Sequence, residues 1–246
     1  MKKIVFVVIS SCLFFSYAFS QDATSSTPAN AQKITLSNRA NDHLMIQLSS
    51  DHWTGMPDSI KSHQQGFSRG FSAYFMFDKP FRSSPKFSIG FGLGISTSNI
   101  FFKNVDIDLK TSSTLLPFSP TDSTNHFKKY KLATGYLEVP VEFRYSSKPL
   151  EPNKSLKFAL GIKVGTLINA HTRGKNLENK NNISINTYTL KENSNRLING
   201  TRFMATARVG YGIISIFGTY QLNNVLKDGA GPAMKLYQIG LSISGL

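Results

Sequence analysis

Residues 136–145 read Tyr136-Leu137-Glu138-Val139-Pro140-Val141-Glu142-Phe143-Arg144-Tyr145. Apolar side chains at Leu137, Val139, Val141, Phe143 and Tyr145 alternate with Glu138, Pro140, Glu142 and Arg144. A period of two is the mark of a β-strand with one apolar and one polar face. Three charges in mid-strand then pose a choice. On a soluble sandwich they form a solvated face above a core. In a membrane barrel the apolar face meets lipid and the charges line the lumen.

The pattern repeats outward in both directions. Leu44, Ile46 and Leu48 alternate with Met45, Gln47 and Ser49. Phe71, Ala73, Phe75 and Phe77 do the same, as do Phe87, Ile89, Phe91, Leu93 and Ile95. C-terminal to the starting stretch come four more runs, over residues 156–164, 202–209, 214–221 and 237–244. Eight strands result, with no convincing amphipathic helix among them. Their connections alternate in length. Residues 78–86, the Pro149/Pro152 segment and Gly210-Tyr211-Gly212 are short; residues 51–67, 102–130, 171–201 and 223–233 are long. A sandwich has no reason to sort its loops this way. The parity predicts an all-β fold, an antiparallel eight-stranded transmembrane β-barrel over residues 42–246, with short periplasmic turns and four longer external loops.

Composition agrees. Charged residues make 17% of the 246 and aromatics 12%, with 19 Phe. That charge content is below the roughly 25% of ordinary soluble domains, and the aromatic content opposes disorder. No mature stretch approaches the ~18 consecutive apolar residues of a membrane helix. The single cysteine, Cys12, excludes disulfides and Cys-ligated metals. Residues 1–20 read as a signal peptide: Lys2 and Lys3, an apolar run over residues 4–15, then Ala18-Phe19-Ser20 before a cut at Gln21. An uncleaved anchor, or a lipoprotein processed at Cys12, is the alternative. Residues 21–41, rich in Ser, Thr, Ala and Asn, read as a flexible lead-in.

On the polar face, Glu138, Glu142, Arg144, Lys157, Lys163, Arg202 and Arg208 are expected to form one charge network in the lumen. A carboxylate buried there needs a cationic partner. Gly90, Gly92 and Gly94 leave room for long side chains from neighbouring strands. Trp53, Phe101, Phe102, Tyr130, Tyr145 and Tyr237 fall near strand ends, where aromatic girdles sit.

The strand at 136–145 resembles the Y-L-E-x-P-x-E strand of PorT-like outer-membrane barrels of Bacteroidetes. Trp53, residues 207–212 and Gly229-Ala230-Gly231-Pro232 fit the same pattern. The resemblance implies a small, OmpX-sized barrel in a Gram-negative outer membrane, and its best-known member serves type IX secretion and gliding. The chain ends Ser244-Gly245-Leu246, where such barrels usually end in an aromatic residue.

Chemistry is sparsely signalled. No metal-binding spacing links the five histidines, and no cofactor is expected. A lipid A-modifying enzyme would need a His, a Ser and an acid at the external rim; His126 or His171 with Ser98 or Ser123 are the candidates. The formal charge of +14 serves either the solubility of the loops or binding to lipopolysaccharide phosphates around the rim; nucleic acid is a poor candidate, as no motif for it is present. The loop over residues 171–200 concentrates Arg173, Lys175, Lys180, Lys191 and Arg196 against Glu178 and Glu192. Its Ile183, Ile185, Thr187 and Thr189 suggest a hairpin above the membrane with a free edge for a protein partner. The first functional reading is therefore a non-enzymatic barrel presenting loops to a partner. A small channel and a lipid A enzyme are the alternatives.

Overall fold

The structure is a computed structural model that describes residues 43–65 and 67–245. The expected signal peptide, residues 1–20, and lead-in, residues 21–41, lie outside the described residues.

In chain order the elements are β1 (Leu44–Thr54), α1 (Asp58–Lys61), β2 (Arg69–Pro80), β3 (Phe87–Phe102), β4 (Val105–Ile107), β5 (Phe118–Pro120), β6 (His126–Ser146), a single 3-10 turn (Pro152–Lys154), β7 (Leu156–Glu178), β8 (Ser184–Asn193), β9 (Thr201–Tyr211), β10 (Ile214–Gln221) and β11 (Lys235–Ser244). Among the described residues, eight strands close a ring in the order β1-β2-β3-β6-β7-β9-β10-β11, every neighbouring pair antiparallel and β11 returning to β1. The other three strands belong to the long connections. β4 and β5 pair with each other, and β8 pairs with the upper part of β7. β6 and β7, at 21 and 23 residues, rise far above the rest.

Register fixes the shape of the ring. A path of directly opposed residues runs Lys79, Ile89, Phe143, Leu160, Ala207, Gly218, Ile239, Ser50 and back to β2 at Arg69. The return point lies ten residues from the start. At ~3.3 Å per residue this stagger is about 33 Å, against about 38 Å for eight strands spaced ~4.8 Å apart, so the strands tilt by about 41°. The wall then has a radius of about 8 Å, wide enough inside for side chains and little else.

The two faces divide as the alternation requires. Phe75, Phe91, Leu93, Val141, Leu160, Ile216 and Leu241 point outward and are exposed. Neighbours stack along this belt, with Phe77 on Phe91 at 5.6 Å and Phe87 on Phe143 at 5.7 Å between ring centres. An apolar girdle of this extent around the whole wall is far beyond the patches of a water-soluble monomer. Inside, the glycine expectation has a concrete form. A Cβ at Gly94 would strike the backbone and ring of Tyr74, and one at Gly90 would strike the Arg144 guanidinium. The space the glycines leave is thus already filled.

The long-loop end differs from expectation. Trp53, Phe102 and Tyr130 do not join a girdle; they are buried on the inner face. Each shares its strand's inward parity: Trp53 with Gln47 and Asp51, Tyr130 with Glu138. They belong to an apolar core into which all four long connections insert, through Ile60, Ile107, Leu116, Ile198, Leu226 and Met234 among others. The connections fold into the mouth and stopper it.

Candidate functional site

The expected lumen charges hydrogen-bond in two groups at different heights, and Lys163 acts electrostatically on the glutamates of both. In the upper one, Arg202 Nε donates to Glu138 Oε1 at 3.0 Å and its Nη2 to the same oxygen at 2.5 Å. The Tyr74 hydroxyl donates to Glu138 Oε2 at 2.6 Å. Lys163 Nζ donates to Gln47 Oε1 at 2.8 Å and to Tyr74 Oη at 3.2 Å, and sits 4.7 Å from the Tyr74 ring centre. The Arg202 guanidinium lies 4.0 Å over the Tyr136 ring and also reaches Ser96 Oγ. Both Glu138 oxygens are satisfied and Arg202 is fully enclosed.

The lower cluster sits near the short-turn end. Arg144 Nε and Arg208 Nη2 each donate to Glu142 Oε2 at 2.9 Å, Arg208 Nη1 reaches Ser244 Oγ, and Arg144 Nη1 stands 3.7 Å from Asp78. Glu142 Oε1, Arg144 Nη2 and Arg208 Nε have no hydrogen-bond partner here. The two arginines adjoin a cavity at the short-turn end lined also by Lys157, Ser146 and Ser215, roomy and polar enough for water. Lys157 thus stands at the rim rather than among the enclosed charges. Two acids were missed by sequence reasoning. Asp51 faces inward with bonds from Ser49 Oγ and Gln238 Nε2, and Asp78 faces Arg144. Both could have been found by extending the inward parity of Gln47 and Tyr74 along β1 and β2.

At the opposite end a β-bulge decides where the basic loop residues go. The β6–β7 register shifts between Gly135 and Tyr136, opposite Asn169 and Leu167. Below it Ala159 and Lys163 face inward; above it Ala170, Thr172 and Gly174 do. Arg173 and Lys175 are thereby sent to the outer face. Lys191 on β8 lies opposite Arg173. Lys180 is exposed at the β7–β8 turn, and Arg196 turns away to donate to the carbonyls of Thr111 and Ser113. Of the five external basic residues, then, only Arg173, Lys175 and Lys191 share a surface.

A family model described as outer membrane protein beta-barrel domain matches residues 19–226, most of the chain. The chain belongs to that family. No curated protein sequence matches it. Among solved structures, it is similar to Ail, the attachment invasion locus protein of Yersinia pestis, at 12% identity and a TM-score of 0.33, over 82% of this chain and 94% of that one. A second structure of Ail, in complex with the heparin analogue sucrose octasulfate, gives 10% identity and a TM-score of 0.28 over the same shares.

The membrane of this outer-membrane barrel therefore surrounds the apolar belt, with the short turns periplasmic and the stoppered mouth external. Two of the candidate enzyme groups, Ser98 and His171, lie on opposite faces of the wall. Ser98 points into the lumen and lies opposite Thr134, whereas His171 lies opposite Ala133 on the outer face. His126 contacts Asn182 and the Thr124 carbonyl.

One external contact pairs a histidine with an acid. His63, in the first long connection, bonds through Nε2 to Asp122 Oδ2 of the second at 3.0 Å. The Asp122 hydrogen bond raises the His63 pKa above 6.5 and lowers that of Asp122. A folded His63 with a raised pKa contributes stability in full below pH 6.5, and loses it as pH rises through the elevated value. The pair is solvent-screened and its contribution to global stability is small. Hydrogen exchange at residues 60–65 and 121–124, corrected for intrinsic pH dependence, should accelerate as pH rises from 6.5 through the elevated His63 pKa. The His63→Gln variant should show no such step.

Proposed function

We propose that this outer-membrane barrel is a non-enzymatic, non-conducting scaffold that offers an external β-strand edge to a protein partner. The observation that carries the reading is β8. It pairs with β7 on one side and is the terminal strand of the sheet on the other. Nine of its ten residues are exposed, Ile185, Tyr188 and Leu190 included. A long exposed edge invites another strand, which natural proteins ordinarily suppress with prolines, inward charges or covering loops. The stoppered mouth and the filled lumen favour this reading over a channel, and the separation of Ser98 from His171 favours it over a lipid A enzyme. The PorT-like strand at 136–145 supports a Bacteroidetes origin and a partner in type IX secretion, and residues 1–20 support a cleaved signal peptide.

A photo-crosslinking amino acid at Tyr188, introduced in intact cells, should yield a discrete protein adduct identifiable by mass spectrometry. The same probe at the lipid-facing Leu160 should not. Equal adduct patterns from the two positions would contradict the proposal, provided both variants keep the gel mobility of a folded barrel.

A further inference from the structure

The outer face of the β6–β7–β8 extension carries an unusual row. Lys131, Arg173 and Lys191 are directly opposed across three adjacent strands. Lys129 and Lys175 oppose each other one step higher, and Arg69 stands lower on β2. Like charges directly opposite on neighbouring strands are destabilising. The acids of the same segment do not relieve them. Glu178 is on the inner face, buried and paired with Lys128, and Glu192 lines the inner cavity with Asp106 and Asp108. The pleat and the bulge have sorted residues that interleave in sequence into a cationic outside and an acidic inside.

We infer that this row binds the anionic saccharide headgroup of an outer-leaflet glycolipid, through its phosphate or carboxylate groups. Charge complementarity is the first argument: several cations face outward toward the space that lipid headgroups occupy. Height is the second. Lys131 lies six residues above Leu137 of the apolar belt, which at a strand tilt of about 41° is a rise of about 15 Å. The polar layer of an ordinary phospholipid leaflet is only ~5–8 Å deep. A headgroup that reaches the row must be tall, as a charged oligosaccharide is. The third is the company the row keeps. Phe101 continues it on β3, with Lys131 5.8 Å and Arg69 5.5 Å from its ring centre, and the exposed Phe67 is 5.3 Å from Arg69. Those ring contacts hold Lys131 and Arg69 together on the outer face. The inference rests on the membrane orientation given above but not on β8 having a protein partner.

The test compares the full-length folded barrel with a Lys131→Gln/Arg173→Gln/Lys191→Gln variant. Both are purified in detergent and titrated with rough-type lipopolysaccharide, with the same lipid stripped of phosphate, with phosphatidylglycerol, and with inorganic phosphate. The readout is the temperature at which the folded gel band is lost. Without lipid the variant should be at least as stable as the wild type, because repulsion has been removed. Lipopolysaccharide should raise the wild-type transition at a half-saturating concentration about tenfold lower than in the variant, three weak surface pairs together giving that factor. Stripping phosphate should remove most of the difference, and phosphatidylglycerol and inorganic phosphate should not discriminate the two proteins. Lys191→Glu, which gives Arg173 a partner within the protein, should also weaken binding while keeping the fold. Equal responses of wild type and variant to lipopolysaccharide would overturn the inference. So would equal discrimination by phosphatidylglycerol or free phosphate. Binding of polyglutamate to the row, with no response to lipopolysaccharide, would assign the face to an acidic protein instead.

Discussion

Glu138→Ala should destabilise the folded barrel by about 3–5 kcal/mol, the usual cost of removing one partner from a buried ion pair. The mechanism lies in what remains. Arg202 keeps its charge in a fully enclosed position, with Ser96 Oγ, the Tyr136 ring and the more distant Asp51 carboxylate left to compensate it. Tyr74 loses the acceptor for its hydroxyl, and Lys163 loses one of its two nearby anions, Glu142 remaining. Glu142→Ala should cost less, because Arg144 and Arg208 border the periplasmic cavity and can be hydrated there. Removing both charges at the upper site, as Glu138→Ala/Arg202→Met, should recover much of the loss. Urea unfolding followed by gel mobility measures all four proteins. A loss for Glu138→Ala no greater than that for Glu142→Ala would mean water reaches the upper cluster.

Val139→Arg and Leu160→Arg should each cost about 2–4 kcal/mol and impair assembly, the range for a cation on the lipid face near the bilayer midplane. Both side chains are outward and exposed among the belt residues, and neither has an acid beside it on that face. Ser88→Arg, on the opposite face, should also fail, for another reason. Ser88 is completely buried and lies opposite Arg144, so the new cation would enter an occupied interior next to an existing one. The fraction of heat-modifiable protein in outer-membrane preparations reports assembly. Normal assembly of the two lipid-face variants would mean that the belt does not face lipid.

The ring itself was legible, and residues 136–145 show why. A period of two is a local property, and one strand with charges on a single face already limits the choice to two environments; the length sorting of the connections then separates them. Glu138, Glu142, Lys163, Arg202 and Arg208 could be placed on the inner face from parity alone. Partner choice was not legible. Which cation meets which acid depends on register between β6 and β9, strands that do not touch in the wall and meet only across the lumen. Two further features escaped for physical reasons. The stopper is built from loop residues such as Ile107 and Ile198, whose apolar character has no period to announce it. The outward turn of Arg173 and Lys175 depends on one extra residue at a bulge, and strict alternation from Lys163 would have sent both into the lumen.

The central claim is that the lumen is closed, from below by paired charges in a wall about 8 Å in radius and from above by the apolar stopper. Conductance of the purified barrel in planar lipid bilayers tests it most directly. Protein that has inserted, as judged by its folded gel mobility after recovery, should give no steady current under voltage of either sign. A stable ion-conducting step of reproducible size, of any selectivity, would contradict the closed lumen and make the protein a channel.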